Sequence, residues 1–333
     1  MQTDTVAVII VNYNAGKHLT RCLEALGRQT RKPDRILLID NASTDSSLDG
    51  ITASWPDVEI FIQEKNTGFA AANNFGIAKA DNCEWVALLN PDAFADPDWL
   101  ERLMDATQAY AEDSFFGSRM LCHGQRDRLD GTGDVYHASG VGWRRDHGFK
   151  VSEGHMADEI FSPCAAAALY KRQAILDAEG FDEDFFCYFE DVDLGFRLRL
   201  LGHRGRYIPE AIVEHVGWGT TTKSSDFSIY HGHRNLVWAY FKNMPGPLFW
   251  KFLPLHLIWN FIFLIVFSLR GQPGAIWKAK CDALLGLPAV MDKRQRVQSK
   301  IKVNQKRLLP VIDCDALAPY RQFRSRKING PKK

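Results

Sequence analysis

The chain has 333 residues, 46% apolar and 24% charged, with 25 Gly and 14 Pro, values that exclude a collagen-like, low-complexity or wholly disordered protein and leave room for one large domain with an appendage, or for two domains. Its seven Cys (22, 83, 122, 164, 187, 281 and 314) form an odd set without C-x-x-C spacing, and no secretory signal precedes the first apolar run; they read as reduced thiols in a cytosolic chain, with no disulfide framework or zinc knuckle. The net charge of +1 hides an asymmetry, because residues 268–333 carry 16 Lys and Arg against 4 Asp and Glu, a basic tail on an acidic body that calls for an anionic partner.

In chain order, Val6 to Asn12, Arg35 to Asp40, Val58 to Gln63 and Trp85 to Asn90 are short apolar runs rich in β-branched residues, each closed by a polar one. Such runs suit strands covered on both faces. Between them lie helix-length stretches at His18 to Arg28, Ser43 to Ala53 and Phe69 to Ala80, so the alternation predicts an α/β fold with a mostly parallel sheet flanked by helices. Asp96-Pro97 opens an amphipathic helix over Trp99 to Tyr110, and the stretch that follows, to about Val151, is rich in Gly, Arg and His without periodicity, the pattern of a substrate loop or lid. Helices are expected again near Lys171 to Ala178 and Val192 to Leu201, with a short strand near Tyr207.

Past Pro245-Gly246-Pro247 the composition shifts, which divides the chain into 1–244, itself of two parts over about 1–95 and about 96–244, and a C-terminal helical, membrane-associating extension over 245–333. Leu248 to Leu269 is apolar and aromatic but broken by Lys251, Pro254, His256 and Asn260. Only about nine unbroken apolar residues remain against the roughly twenty that a span needs. An interfacial helix is expected, with Lys278, Lys280, Lys293, Arg294, Arg296, Lys300, Lys302, Lys306 and Arg307 facing anionic headgroups. No nucleic-acid-binding motif accompanies the charge.

In an open α/β sheet, ligands bind outside the carboxyl ends of the strands. The first strand ends in Asn12-Tyr13-Asn14-Ala15-Gly16, unlike the G-x-G-x-x-G of dinucleotide folds. The second ends in Asp40, placed to accept a hydrogen bond from a ligand, with Ser43 or Thr44 available to cap the next helix. The fourth ends in Asn90-Pro91-Asp92, where a carboxylate is suited to a divalent cation. Glu190-Asp191-Val192-Asp193 sets three carboxylates within four residues, a cluster typical of a site that needs a tuned base. On a helix starting there, Glu190 and Asp193 share a side while Asp191 points elsewhere, and Arg197 and Arg199 follow. His215 comes after an apolar strand-like run.

The ordered motifs VNYNAG, LLIDNASTDSS, NTGFAAANNFGI, LLNPDA, GFDEDFFCYFEDVDLGFRLRLLG and IVEHVGWG resemble those of inverting family 2 glycosyltransferases with the GT-A (Rossmann-like) fold, and most resemble the bacterial rhamnosyltransferase-like branch that builds cell-surface polysaccharides. The resemblance spans about Val6 to Gly219. It implies metal-dependent transfer of a sugar from a nucleoside diphosphate donor, deoxythymidine diphosphate rhamnose favoured, to a saccharide or polyprenyl-diphosphate-linked acceptor at the cytoplasmic face of the cell membrane. Carried over by position, Tyr13 would lie on the nucleobase and Asp40 would bond its ring nitrogen. Asn12, Asn66, Gly68, Asn73 and Asn90 would shape the donor pocket, Asp92 and His215 would hold Mg²⁺ or Mn²⁺, and Asp191 would be the base, supported by Glu190 and Arg197. Asn90 replaces the first Asp of the family's D-x-D, and Cys164-Ala165-Ala166-Ala167-Ala168 stands where relatives carry a Gly-rich stretch. The alternatives are a noncatalytic nucleotide-sugar-binding protein of the same fold and a nucleotidyltransferase; the latter would show a Gly-rich basic loop after the first strand.

Overall fold

A computed structural model describes residues 4–153, 156–217 and 225–322. Strand β1 (Val6–Asn12) is followed by α1 (Lys17–Gly27), β2 (Arg35–Asp40), α2 (Ile51–Ser54), β3 (Val58–Ile62), α3 (Gly68–Lys79) and β4 (Trp85–Leu89). The four strands are parallel in the order β3-β2-β1-β4. Alternation along β1 explains the continuous apolar run: Val6, Val8 and Ile10 join the core beneath α1, while Ala7 and Ile9 join the core beneath α3. Most of the helix expected over Ser43 to Ala53 is instead a turn, with only α2 helical, because Ser43, Asp45 and Ser47 spend their side chains on the β1 and β2 ends.

The segment expected as a lid is largely strand. After β5 (Ala93–Ala95) and α4 (Trp99–Ala109) come β6 (Asp113–Cys122), β7 (Gln125–Gly131), β8 (Asp134–His137), β9 (Gly142–Arg144) and β10 (Ala167–Lys171). Its charges are compensated within the fold: Arg144 pairs with Asp130, Arg145 with Asp158 at 2.8 Å and Arg206 with Asp113 at 2.7 Å. Helix α5 (Arg172–Asp177), α6 (Glu190–Leu200) and β11 (Arg204–His215) complete the body. The main sheet has nine strands in the order β3-β2-β1-β4-β10-β6-β11-β5 with β7 on β6. Its first half is parallel; β10 enters antiparallel between β4 and β6.

Five helices follow: α7 (Asp226–Asn243), α8 (Gly246–Leu269), α9 (Pro273–Leu285), α10 (Leu287–Ser299) and α11 (Gln305–Leu308). A final strand β12 (Ile312–Asp313) pairs with β8, which pairs with β9. Helix α8 continues through Pro254 and buries Leu248, Phe249, Phe252, His256 and Trp259 as one stripe. It leaves Trp250, Leu257, Ile258, Phe261, Ile265 and Leu269 exposed. Among the described residues it is one helix long and apolar enough to cross a membrane. Its inner face is tied to the body by Tyr240 Oη donating to Phe249 O at 2.7 Å and by a 2.7 Å contact from His256 Nδ1 to Ser139 O. The cysteines form no disulfide among the described residues.

Candidate active site

The carboxyl ends of β1, β2 and β4 form one edge. Asn12 and Asp40 are register partners, and Asn12 Nδ2 donates to Asp40 Oδ1 at 2.8 Å and to Ser47 Oγ at 2.8 Å. Asp40 Oδ2 accepts from the Ser43 amide at 3.1 Å, so this buried carboxylate also organises the turn after β2. Tyr13 is exposed at the same edge. Asn66 Oδ1 accepts from Asn41 Nδ2 at 2.9 Å and from the Gly68 amide at 2.9 Å, while buried Asn73 Nδ2 donates to Phe69 O at 2.9 Å inside α3. Gly68 has φ +86°, and a Cβ there would lie 2.6 Å from Phe186; only glycine permits α3 to start against that segment.

After β4, Asn90 N donates to Ala166 O at 2.9 Å, which ties the turn to the loop before β10. Asp92 accepts from the Val216 amide at its own carbonyl at 3.0 Å and from the Gly217 amide at Oδ2 at 3.2 Å. These bonds bring it beside His215, whose Nε2 is 3.5 Å from Asp92 Oδ1 and whose Nδ1 is 2.8 Å from Asp130 Oδ2. Burial disfavours the imidazolium, but Asp130 and Asp92 outweigh it and raise His215 to about 9. Asp130 is held well below the usual carboxylate range: burial opposes this, and Arg144, His147 and His215 overcome it. A carboxylate that fixes one ring nitrogen and aims the other at a second carboxylate is the outer-shell arrangement of a metal-ligating histidine. No group of three or more His, Cys, Asp and Glu is placed to hold a metal among the described residues; Asp92 and His215 bring one carboxylate oxygen and one ring nitrogen to 3.5 Å of each other at this edge.

The carboxylate cluster opens α6. Asp191 Oδ2 accepts from the Ala165 amide at 3.3 Å and Oδ1 from the Val192 amide at 2.8 Å. Burial raises its pKa above the ordinary aspartate value, opposed by those amides and by Arg144. Glu190 is raised well above its ordinary value by burial and by Asp191, and its Oε2 has no hydrogen-bond partner among the described residues. Asp193 turns to the other side, where Lys242 Nζ and Asn243 Nδ2 approach one oxygen at 2.7 Å and Arg197 the other at 2.8 Å. Arg197 also donates to Ala178 O and Gly180 O, so it fastens α6 to the preceding turn rather than facing Asp191.

Three groups in the site escaped the sequence reading. Asp130 on β7 orients His215. Asp134 on β8 is buried and pushed well above the ordinary range by burial and by Asp191. Arg144 on β9 pairs with Asp130 and lowers the cost of charge on both Asp134 and Asp191, so it joins the His215 side of the site to the Asp191 side. All three lie in the segment without periodicity, where only their mutual pairing marks them. Trp218 and Gly219 of the last motif lie outside the described residues.

Residues 7–177 match the glycosyl transferase family 2 profile. The chain is 29% identical over 242 residues to an N-acetylglucosaminyl-diphospho-decaprenol L-rhamnosyltransferase of Mycobacterium tuberculosis, covering 64% of this chain and 76% of that protein. It is 26% identical over 215 residues to the O-antigen chain rhamnosyltransferase RfbN of Salmonella typhimurium, covering 63% and 66%. Among solved structures, GalNAc-T7 with UDP, GalNAc and Mn²⁺ superposes with a TM-score of 0.59 at 15% identity over 72% of this chain, and S. aureus TarS with 0.57 at 18% identity over 89%. The chain spans about half the length of those two, at 48% and 50%.

Proposed function

We propose that this chain, which belongs to glycosyl transferase family 2, transfers a hexose, rhamnose foremost, from a nucleoside diphosphate to a saccharide or polyprenyl-diphosphate-linked acceptor with inversion at the anomeric carbon. The observation that carries this reading is the pairing of two unlike centres in one site. His215 between Asp92 and Asp130 suits an anionic leaving group with its cation, and the buried Glu190-Asp191 pair, linked to it through Arg144, suits proton removal. The printed names of the mycobacterial and Salmonella relatives support rhamnose as the sugar and a lipid-linked or polysaccharide acceptor.

Asp92 and His215 are the residues that would hold Mg²⁺ or Mn²⁺, which when bound supplies Lewis-acid stabilisation of the departing diphosphate oxygens. Tyr13 would cover the nucleobase at the β1 edge, with Asn12, Asp40, Asn66, Gly68, Asn73 and Asn90 shaping the pocket floor. Asp191 would accept the proton of the acceptor hydroxyl as it attacks the anomeric carbon from the face opposite the diphosphate. The raised pKa of Asp191 makes it a stronger base than an exposed aspartate, and such proton transfer contributes about 10²- to 10⁴-fold. Glu190 and Arg197 support it by fixing the start and the packing of α6.

Residues 1–244 would carry this chemistry and 245–333 the attachment to the cytoplasmic face of a bacterial membrane. The exposed apolar side of α8, with Trp277, Leu284 and Leu285 of α9, supports insertion to headgroup depth, and the basic residues after it supply the second signal that stable attachment needs. The bonded inner face of α8 favours a helix lying on the membrane over one that crosses it. A panel of nucleotide sugars assayed with a diphosphate-linked acceptor analogue, read by product mass and anomeric configuration, tests the proposal: one inverted glycoside is expected, and no glycoside from any donor would overturn it.

A further inference from the structure

The segment 185–189, just before Glu190 and Asp191, holds an improbable backbone. Phe186, Tyr188 and Phe189 have φ of 64°, 64° and 75°, the left-handed region that residues with a Cβ avoid. Phe189 is the residue from which α6 starts, and its carbonyl accepts from the Asp193 amide at 2.9 Å. A turn of this kind exposes carbonyls that no helix or strand satisfies, and buried carbonyls require partners.

The partners come from α7. The two N–H groups of the Asn235 side chain, fully buried, are shared among Phe185 O at 2.9 Å, Cys187 O at 3.0 Å and Tyr188 O at 2.7 Å. Its Oδ1 accepts from Arg234 Nε at 2.9 Å, and Arg234 itself donates to Asp184 O at 2.9 Å and Phe185 O at 3.2 Å. The Arg234 guanidinium is in turn braced 4.2 Å over the Trp238 ring. From the other side, the Ala70 amide on α3 donates to Phe186 O at 3.2 Å. A buried amide serving three carbonyls of one segment is costly to bury without that task, and the segment it fixes is the one that aims the base.

We propose that Asn235 is a positioning residue for sugar transfer: by holding the left-handed 185–189 segment it sets where α6 begins and keeps the Asp191 carboxylate on the Ala165 amide, facing the acceptor. This rests on the assignment of Asp191 as base. The clamped segment meets the donor side only where Phe186 lies against the start of α3 at Gly68 and Ala70, while Asn12, Asp40 and Asn90 stand at the ends of β1, β2 and β4, so loss of the clamp should act on turnover far more than on nucleotide binding.

The test compares full-length wild type, Asn235→Ala and Asn235→Ser, the last retaining one hydroxyl donor should the alanine variant fail to fold. Deoxythymidine diphosphate affinity, kcat for transfer and hydrogen exchange by segment are measured on each. The expected result is a kcat loss of at least tenfold in Asn235→Ala with nucleotide affinity within about twofold, faster exchange confined to 183–193, and partial recovery of both in Asn235→Ser. Unchanged kcat and exchange would overturn the proposal. So would a loss that spreads to nucleotide binding and to exchange throughout the body, which marks a merely structural asparagine. If wild type transfers no sugar, the proposed function fails, and the exchange arm still reports whether Asn235 clamps the segment.

Discussion

Asp191 and the His215 pair carry distinct expectations at the residue scale. Asp191→Asn keeps shape and can still accept from the Ala165 amide but cannot take a proton, so turnover should fall by about 10²- to 10⁴-fold. The raised Asp191 pKa places the acid limb of the wild-type kcat profile above the ordinary aspartate value: activity should rise with pH as the carboxylate ionises, and the limb should vanish with the residue. Asp92→Ala and His215→Ala should each weaken Mn²⁺-dependent nucleotide binding by about a hundredfold or more, seen by calorimetric titration with and without the cation, and Asp130→Asn should weaken it by about 10- to 100-fold, the range of outer-shell losses. Asn12, Asp40 and His215 were readable as the polar ends of apolar strand runs, and Glu190 and Asp191 as a carboxylate cluster at a helix start. Asp130, Asp134 and Arg144 were not, because their meaning lies in contacts between residues on three different strands.

Periodicity was a sound guide to elements wherever burial is two-sided or helical. The strands β1 to β4, the helices α1, α3, α4 and α6, and the whole of α8 follow their patterns. It failed over 113–144, where β6 mixes Asp113, Ser114, Gly117, Ser118 and Arg119 with its buried Phe115, Phe116, Met120 and Leu121 and where β7 to β9 are short and charged, and over 43–50, where polar side chains bind the neighbouring strand end instead of capping a helix. Helix α8 has two unlike faces, and they give two predictions. Replacing Trp250, Phe261 and Leu269 with Gln should release the protein from vesicles containing anionic lipid while leaving its thermal midpoint nearly unchanged, since all three are exposed; retained sedimentation would remove this face from the attachment. On the inner face, burial lowers His256 to about 4, outweighing its contact with Ser139 O. The unfolded chain, with an ordinary value near 6.5, then binds the extra proton first. Stability from this residue is intact above about 6.5 and is lost as pH falls toward 4, by roughly 3 kcal/mol at most. His256→Gln, which can still donate to Ser139 O, should flatten the fall in thermal midpoint between pH 7 and 4.5.

At the scale of the molecule, the helices after Pro245 are part of the same core as the body. Tyr136, Phe161, Val192 and Phe196 pack in one cluster with Tyr240, Met244, Leu248, Phe249, Phe252 and Ile312. Lys242 bridges Asp182 and Asp193, and Lys293 of α10 reaches the same Asp182. Truncation after Met244 would uncover that cluster and remove β12 from the edge of β8. With about 1.5–3 kcal/mol per buried large apolar side chain, against a total stability of about 5–15 kcal/mol, the shortened chain should be insoluble or unfolded, as measured by its circular dichroism and recovery. Helix α7, which carries Asn235, and helices α8 and α10 therefore share one core and one set of ion pairs with the body. The most direct test of the whole account is sugar transfer from deoxythymidine diphosphate rhamnose to a diphosphate-linked N-acetylglucosamine acceptor by wild type and Asp191→Asn, with nucleotide affinity measured on the same samples. The account predicts an inverted glycoside from wild type and a loss of at least a hundredfold in the variant, with affinity held within a few-fold; transfer by Asp191→Asn at the wild-type rate would contradict it.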